Sequence, residues 1–395
     1  MKYLVIVFDG MADEPLSELD GKTPMQVARK PYMDELARHG VVGAVRTTPP
    51  GMQPGSDITN MAILGYDPRT YYTGRGPLEA ASLEIPLEKR DVAFRANLVS
   101  TDGTVITDSS AGHVSTEEAR ELIGVVDRKL STSRIRFYPG VSYRHIMVWR
   151  DGPGDVLTVA PYKIQDEPFE PHLPKGDGEE TLRQLTYDSL ELLDGHPVNR
   201  RRMDEGKLPA NMLWLWGQGR QPEIPSFFAL RGLTGCVVAG VDLIRGLGRM
   251  VGLSVIDVPG ATGYIDTNYL GKGQYAVSAL HERDFVWVHV EAADEAGHEG
   301  KIDAKIEAIE TMDRLVLGTI LDGLAKSKQE FAILLLPDHP TPISTRSHSD
   351  APVPFLLYSS KVERSTRLPF DERTVEDAEL RVDEGHRLIE RLLAE

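Results

Sequence analysis

The sequence contains 395 residues, of which 41% are hydrophobic and 26% are charged, and its formal net charge at pH 7 is −16. This composition is typical of a soluble globular protein, and the length predicts two domains because single cores rarely grow so large. The negative charge excludes an extended nucleic-acid-binding surface, which requires a basic patch. No segment reaches the roughly 18 consecutive apolar residues of a transmembrane helix, so we expect no membrane partner.

The cysteine content and the N-terminus both favour an intracellular protein. The single cysteine, Cys236, excludes an internal disulfide and favours a reducing compartment. It lies in an apolar run, Gly235–Ala239, and is therefore predicted to be a buried packing residue. The chain enters a predicted strand after Met1-Lys2, without the charged and apolar segments of a signal peptide. We expect a cytoplasmic location, whereas the sequence does not predict an oligomeric state.

The first elements alternate between strand and helix. Residues 3–8 form an apolar run that predicts a strand. Thr23-Pro24 has the pattern of an N-cap followed by a first-turn proline, which predicts one helix from there to about Gly40. A loop rich in proline and glycine follows, and Ser56 then begins a second, short helix.

The character of the sequence changes at about Leu87 and changes back after about Ser226. The middle segment predicts a β-hairpin over residues 95–107 and further strands and helices. Beyond Ser226, strands alternate with helices again, including one long helix over residues 304–327. This alternation predicts an α/β fold with a doubly wound parallel sheet, interrupted by a smaller inserted α/β domain.

The predicted domain boundaries follow from these changes. Residues 1–86 and 227–395 are expected to form one discontinuous domain, and residues 87–226 the inserted domain. Later strands of the first domain are expected near residues 235–239, 253–258, 285–290 and 331–336.

Three aspartates follow predicted buried strands. They are Asp9, Asp294 and Asp338. Because ligands bind at the carboxyl ends of the strands in an open α/β sheet, we expect the three carboxylates to converge. Each motif alone has an ordinary explanation, such as a turn or a helix cap. Their shared position at strand ends makes a common site the better interpretation.

Three histidines accompany these aspartates. His298 lies four residues after Asp294, which places both on one face if the segment is helical; in a loop, Gly297 would allow a similar approach. His339 directly follows Asp338, and His348 lies in the next loop. Carboxylate and imidazole ligands suit Mn²⁺, Mg²⁺ or Zn²⁺. Two such cations at close range hold the attacking and the leaving oxygen of a phosphoryl transfer.

Ser56 is the candidate nucleophile. It follows Pro54-Gly55 and begins a helix, whose positive end would stabilise an alkoxide or a phosphate. A cation in contact with the hydroxyl would lower its pKa and activate it. The alternative is that Ser56 is only a helix N-cap, which is the usual reason for a serine at such a position.

The order Asp, Ser, Asp-x-x-x-His, Asp-His and His resembles the alkaline phosphatase superfamily. Within it, the sequence resembles the cofactor-independent phosphoglycerate mutases of the archaeal type, from residue 1 to about residue 390. The segments that carry the resemblance are Phe8–Asp13, Pro54–Asp57, Gly65–Pro68, Gly74–Pro77, Arg95–Asn97, Asp294–His298 and Pro337–His339.

This resemblance implies a glycolytic reaction at two divalent cations, Mn²⁺ or Mg²⁺, with Zn²⁺ or Co²⁺ also compatible. Ser56 would take the phosphoryl group from the small phosphorylated substrate 3-phosphoglycerate and return it to the other hydroxyl. One cation would be held by Asp294, His298 and His348. The other would be held by Asp9, Ser56, Asp338 and His339.

The resemblance also implies substrate-binding residues in the inserted domain, namely Asn97, Asp108, His113, Arg144, Trp216 and Arg220. Two of them depart from the family pattern, because His113 and Trp216 stand where an arginine is usual. Arginine is suited to carboxylates and phosphates. The departures raise an alternative, a homoserine-kinase-like phosphotransferase with the same metal and serine centre. A non-catalytic metal-binding protein is a third reading, against which the complete ligand set argues.

Overall fold

The computed structural model describes residues 1–395, which divide into two compact units. The first unit contains residues 1–72 and 224–395, and the second contains residues 73–223. The first boundary lies earlier than the predicted residue 86, because the helix Arg75–Ser82 packs on strands of the second unit. None of the helices has the length and apolar character that crossing a bilayer requires.

The first unit is built on an eight-stranded sheet in the order β11-β10-β12-β1-β13-β14-β2-β15. Its strands are β1 (Lys2–Phe8), β2 (Val41–Val45), β10 (Gly235–Val238), β11 (Ser254–Ile256), β12 (Phe285–Val290), β13 (Phe331–Leu336), β14 (Val353–Ser359) and β15 (Arg381–Val382). The five strands from β11 to β13 are mutually parallel, whereas β14 is antiparallel to both of its neighbours.

Helices cover this sheet. They are α1 (Pro24–Val27), α2 (Pro31–His39), α3 (Ser56–Ile63), α4 (Pro68–Tyr71), α9 (Phe227–Arg231), α10 (Asp242–Met250), α11 (Tyr269–Ala279), α12 (Ala292–His298), α13 (Ile302–Thr311), α14 (Gly318–Ser327), α15 (Arg373–Asp377) and α16 (Leu388–Leu393). All six residues of β12 are buried, as are most of β1 and β13. Strands buried on both faces are typical of a doubly wound sheet, so the predicted fold class is confirmed.

Two predicted helices differ from the observed ones. The helix expected from Thr23 to Gly40 is broken between α1 and α2, because Pro31 disfavours helical geometry at Lys30, whose φ is −127° and ψ is 62°. The long helix is present, but a π-helical segment, Met312–Leu317, lies between α13 and α14. Strands β2 and β14 were not predicted, although both are short apolar runs.

The second unit contains an antiparallel sheet in which β3 pairs with β4, β6 and β9, and β6 also pairs with β5. Its strands are β3 (Val92–Thr101), β4 (Ile106–Asp108), β5 (Ile135–Tyr138), β6 (Arg144–Trp149), β7 (Val156–Leu157), β8 (Lys175–Gly176) and β9 (Met212–Arg220). Its helices are α5 (Arg75–Ser82), α6 (Thr116–Leu130), α7 (Glu179–Asp194) and α8 (Pro197–Asp204). Helix α7 packs on β9, and α5 packs on β3 and β9.

The π-helical segment carries a buried carboxylate, Asp313, that links it to helix α2. Its oxygens accept hydrogen bonds from the backbone N–H groups of Tyr32 (3.2 Å) and Met33 (2.8 Å). Burial raises the pKa of Asp313 from 3.8 to about 6, although these hydrogen bonds oppose the shift. Between these two values the native state binds more protons than the unfolded chain, so stability falls as the pH rises.

We therefore expect the Asp313→Asn substitution to remove a pH-dependent loss of stability. Relative to this variant, the free energy of unfolding of the wild-type protein should fall by about 2 kcal/mol between pH 4.5 and pH 7. Denaturant unfolding of both proteins across this range measures the difference. Asp303→Asn, at an exposed position on α13, is the control and should show no such trend. A constant difference between Asp313→Asn and wild type would contradict the prediction.

Candidate active site

The strand order brings the three predicted aspartates together. Strand β1 lies between β12 and β13, with Phe8 opposite Val290 and Val7 opposite Leu336. The residues that follow these three strands therefore emerge at one edge of the sheet. Asp9, Asp294 and Asp338 are all buried there, with exposed fractions of 0%, 3% and 0%.

Gly10 allows the close approach of these segments. Its φ is +61°, and a Cβ atom at this position would lie 2.5 Å from the Cα of Asp294. Its N–H also donates to Oδ1 of Asp338 at 3.2 Å. The Asp-Gly sequence after β1 is therefore more than an ordinary turn, since any side chain here would separate the aspartates.

The carboxylate of Asp338 is held by four donors. Oδ2 accepts from the Thr59 hydroxyl (2.9 Å) and the Asn60 amide (2.8 Å), both on α3. Oδ1 accepts from the backbone N–H groups of Gly10 (3.2 Å) and His339 (3.0 Å). Burial opposes ionisation, but the neighbouring His339 and a hydrogen bond with Asp9 hold the pKa of Asp338 below its ordinary value.

A second group forms around Asp294. Nε2 of His298 lies 3.2 Å from Oδ2 of Asp294, and the two belong to the same helix, α12, as one of the two predicted arrangements required. Nε2 of His348 lies 3.5 Å from Oδ1 of Asp294 and 2.9 Å from Nε2 of His298. Nδ1 of His298 donates to the carbonyl oxygen of Arg346 at 2.9 Å, which turns Nε2 toward the group. Such a carbonyl partner is characteristic of metal-binding histidines.

His339 lies between the pair of Asp9 and Asp338 and the group around Asp294. Its Nε2 is 3.5 Å from Oδ1 of Asp9 and 3.5 Å from Oδ2 of Asp338. Candidate ligand atoms of Asp9, Asp338 and His339 lie within 4.8 Å of one another, and so do those of Asp294, His339 and His348. All six predicted metal-binding Asp and His side chains are therefore close together.

Ser56 is not a helix cap. It is the first residue of α3, Gly55 holds the N-cap position, and that position has no side-chain hydrogen bond. The Ser56 hydroxyl instead donates to Oδ2 of Asp9 at 3.2 Å and lies 3.3 Å from Nε2 of His339. The hydroxyl thus faces the carboxylate and histidine group at the positive end of a helix.

The electrostatics of the cluster favour a cation. Burial, together with the charges of Asp338, Asp294 and Glu291, raises the pKa of Asp9 well above its ordinary value. Oδ1 of Asp9 is buried without a hydrogen-bond donor. A divalent cation would relieve this repulsion and supply the missing partner, and the donor set of carboxylates, imidazoles and a hydroxyl is one that such cations accept.

Three further residues at the centre were not predicted as site residues. Nε2 of His289 lies 3.2 Å from Oδ2 of Asp9, and ligand atoms of Asp9, His289 and Glu291 form a third close group. Burial lowers the pKa of His289 to about 3, so its imidazole is neutral. The Thr341 hydroxyl donates to Asp294. Glu291 directly follows β12, so the strand-end position would have identified it, whereas Thr341 gives no sequence signal.

In the second unit, three of the predicted substrate residues meet on adjacent strands. Oδ1 of Asn97 accepts from the Trp216 indole at 3.2 Å and from Arg95 at 3.0 Å. The Arg95 guanidinium lies 5.1 Å from the centre of the Trp216 ring, and it also donates to Glu79. Arg144 is opposite Asn97 in the β3–β6 pairing. Arg95 itself was noted only as part of a motif.

These residues form a cationic cluster. Burial lowers the pKa of the Arg95 guanidinium; Glu79 opposes the shift, and the positive charges of Arg75 and Arg144 reinforce it. The cluster contains three arginines and only one glutamate, so its net charge is positive and it favours an anionic ligand.

The remaining predicted substrate residues have other local contacts. Asp108 accepts hydrogen bonds from the backbone N–H groups of Ser110 (2.8 Å) and Gly112 (2.9 Å), and thereby shapes the loop that carries His113. His113 is exposed, with its ring 6.2 Å from that of Tyr143. Arg220 donates to the carbonyl oxygens of Arg90 and Gly152, so its guanidinium is engaged by the backbone.

Comparison with known proteins identifies close relatives. The profile of a family described as 2,3-bisphosphoglycerate-independent phosphoglycerate mutase matches residues 37–199. A curated protein of Geobacter sulfurreducens, named as a probable member of that family, is 51% identical, and the alignment covers 100% of both chains. A mutase of Methanothrix thermoacetophila is 49% identical with the same coverage.

Two solved structures resemble the whole chain. A protein of Pyrococcus horikoshii is 31% identical with a TM-score of 0.83, covering 100% of this chain and 96% of the other. A cofactor-independent phosphoglycerate mutase of Thermoplasma acidophilum is 30% identical with a TM-score of 0.66, covering 100% and 99%. The similarity therefore extends over both units.

The repulsion at Asp9 gives a prediction. We expect Asp9→Asn to raise the unfolding temperature of the metal-free protein by at least about 2 °C at pH 8, because it removes one of the opposing charges. The same variant should lose a large part of the increase in unfolding temperature that Mn²⁺ gives the wild-type protein, because Asp9 is a candidate ligand of one of the two cations. Differential scanning fluorimetry with EDTA or Mn²⁺ measures both effects. Glu14→Gln, at an exposed position in the same loop, serves as control, and a less stable metal-free Asp9→Asn protein would refute the argument.

Proposed function

Because the chain belongs to the family of 2,3-bisphosphoglycerate-independent phosphoglycerate mutases, we propose that it interconverts 3-phosphoglycerate and 2-phosphoglycerate through a phosphorylated Ser56. The observation that carries the proposal is the position of the Ser56 hydroxyl, in contact with Asp9 and His339 at the start of α3. A serine that faces buried carboxylates rather than capping its own helix is suited to nucleophilic attack.

Two divalent cations would be bound by this centre. Asp294, His298 and His348 would hold one of them, consistent with the short distances among their ligand atoms. Asp9, Ser56, Asp338 and His339 would hold the other. Bound there, the cations would neutralise the carboxylates and lower the pKa of the serine hydroxyl. Three histidines among the ligands favour Mn²⁺ over Mg²⁺, which prefers oxygen ligands, and are also compatible with Zn²⁺ or Co²⁺.

The residues of the chain then have distinct tasks in the transfer. The hydrogen bond to Asp9 gives the proton of Ser56 a direct path away from Oγ. Oγ forms a bond to phosphorus as the bond to the 3-oxygen of the substrate breaks, and that oxygen takes up the proton that Ser56 released. In the second half, the oxygen of the 2-hydroxyl forms a bond to phosphorus as the bond between phosphorus and Oγ of Ser56 breaks. The proton that leaves the 2-hydroxyl returns Ser56 to its hydroxyl form. The positive end of α3 stabilises the negative charge in both steps.

The second unit would be the inserted substrate-binding domain. Its cluster of Arg75, Arg95 and Arg144 would hold the glycerate carboxylate, which remains unchanged while the phosphoryl group moves. Asn97 and Trp216 would fix Arg95 in place. The homoserine-kinase-like alternative is not favoured, because relatives 51% and 49% identical over the full chain bear the mutase name.

Ser56→Ala should lower mutase turnover by at least about a thousandfold, while the unfolding temperature of the metal-free protein and Mn²⁺ binding by Asp294, His298 and His348 remain close to wild type. After incubation with 3-phosphoglycerate, mass spectrometry should find a phosphoryl group on the wild-type peptide that carries Ser56. Ser254→Ala, an exposed serine of the same unit, is the control. An active Ser56→Ala enzyme would exclude the phosphoserine route. A product-resolved assay should yield 2-phosphoglycerate and no O-phosphohomoserine.

Arg144→Met should raise KM for 3-phosphoglycerate at least about tenfold with a smaller effect on kcat, because the carboxylate is bound equally before and during transfer. Steady-state kinetics separates the two constants. Arg150→Met, which removes an exposed arginine beyond the far end of β6, is the matched control and should retain KM. An unchanged KM in Arg144→Met would place the carboxylate elsewhere.

A further inference from the structure

A lysine with no exposed surface lies in the first unit, on helix α13. The Lys305 ammonium donates to the carbonyl oxygens of Ala12 (3.2 Å) and Thr341 (2.8 Å) and to Oδ2 of Asp13 (2.7 Å). Burial lowers its pKa from the ordinary value, and the neighbouring Asp13 carboxylate opposes that shift. A fully buried charge destabilises the folded state unless its partners compensate. The positions of the three acceptors therefore indicate the role of Lys305.

All three acceptors lie in loops that carry the candidate metal ligands. Ala12 and Asp13 belong to the loop that begins with Asp9 at the end of β1. Thr341 lies two residues after His339 in the loop that follows β13. Two separate ligand loops are thus joined at a single ammonium group.

The third ligand-bearing segment is joined through the backbone. Helix α12, which carries Asp294 and His298, is followed after three residues by α13, and the two helices pack on each other. Lys305, near the start of α13, therefore connects the segments after β1, β12 and β13. It makes this connection without contacting a ligand atom itself.

Thr341 connects Lys305 to two of the candidate metal ligands. Its carbonyl oxygen accepts from Lys305, while its hydroxyl donates to Oδ1 of Asp294 and lies 3.3 Å from Nδ1 of His339. Asp13 likewise accepts from the backbone N–H of Ile343 at 3.2 Å, which ties the two loops to each other a second time. A shift of Lys305 would therefore displace residues from both ligand groups.

We propose that Lys305 is a positioning residue that holds the loops after β1 and β13 in the geometry required for cation binding. The inference rests on the proposed cation centre. Partners behind the ligands of a metal site commonly change its affinity by tenfold or more, which is the effect expected here. The competing explanation is that Lys305 only stabilises the fold.

The test separates these two roles by removing the ion pair as a unit. Lys305→Met alone would leave the Asp13 carboxylate buried and unpaired, which destabilises any protein. The double variant Lys305→Met/Asp13→Asn removes both charges and keeps the side-chain volumes similar, but it lacks the hydrogen bonds to Ala12 and Thr341. Mn²⁺ titration calorimetry on the metal-free full-length proteins gives the affinities, and thermal unfolding gives the stabilities.

We expect the double variant to fold and to unfold at a temperature no lower than that of Ile309→Ala, yet to bind Mn²⁺ at least about tenfold more weakly, with mutase activity recovering as Mn²⁺ is raised. Ile309→Ala, which creates a cavity on the same helix, is the matched control and should lower the unfolding temperature while retaining wild-type affinity. If the double variant does not fold, Lys305→Gln, whose shorter and uncharged side chain cannot reproduce all three contacts of the ammonium group, should show the same weakening. If the folded variant binds Mn²⁺ with wild-type affinity, the proposed role of Lys305 is wrong and the cation centre is unaffected. If the wild-type protein binds no Mn²⁺, the cation centre and the role of Lys305 are both wrong.

Discussion

Three carboxylates in a buried space are the constraint on which the rest of the first unit depends. Asp9, Asp294 and Asp338 are brought together because β1 lies between β12 and β13 and all three strands run in the same direction. Their mutual repulsion opposes folding in the absence of a counter-charge. Two features of the surrounding structure nevertheless keep them close. Gly10 has no side chain to separate Asp9 from Asp294, and Lys305 joins the loops after β1 and β13 by hydrogen bonds.

The carboxylates of Asp338 and Asp9 differ in the number of hydrogen bonds that they accept. Asp338 accepts four hydrogen bonds and is held below its ordinary pKa, so it is a fixed negative charge. Asp9 keeps one oxygen without a donor, and its other oxygen accepts from Ser56. Because Asp9 has an oxygen without a hydrogen-bond donor, the cluster can accept a cation beside the negative charge of Asp338. The other oxygen of Asp9 can accept the proton of Ser56.

The sequence predicted the residues that strand ends and motif spacing make conspicuous, namely the aspartates, the paired histidines and Ser56. It could not predict Thr59, Asn60 or Thr341, because a threonine or asparagine that holds a carboxylate looks like any other until the fold brings the two together. The break between α1 and α2 has a sequence signal in Pro31, which the prediction of a single helix from Thr23 did not take into account. Strands β2 and β14 were missed although they are short apolar runs, and periodicity alone does not distinguish such a run from a buried helical segment.

For the substrate-binding role that we propose for the second unit, a departure from the family pattern need not change the substrate class. Trp216 stands where an arginine was expected, yet its ring contacts the Arg95 guanidinium and lies 5.9 Å from that of Arg75. Its N–H donates to Asn97, the same oxygen that accepts from Arg95. An indole in this position removes one positive charge but orders others, since stacking on an aromatic face restricts a guanidinium at little cost in hydration. The cluster therefore remains cationic, which fits the carboxylate of a phosphoglycerate better than the zwitterionic end of an amino acid.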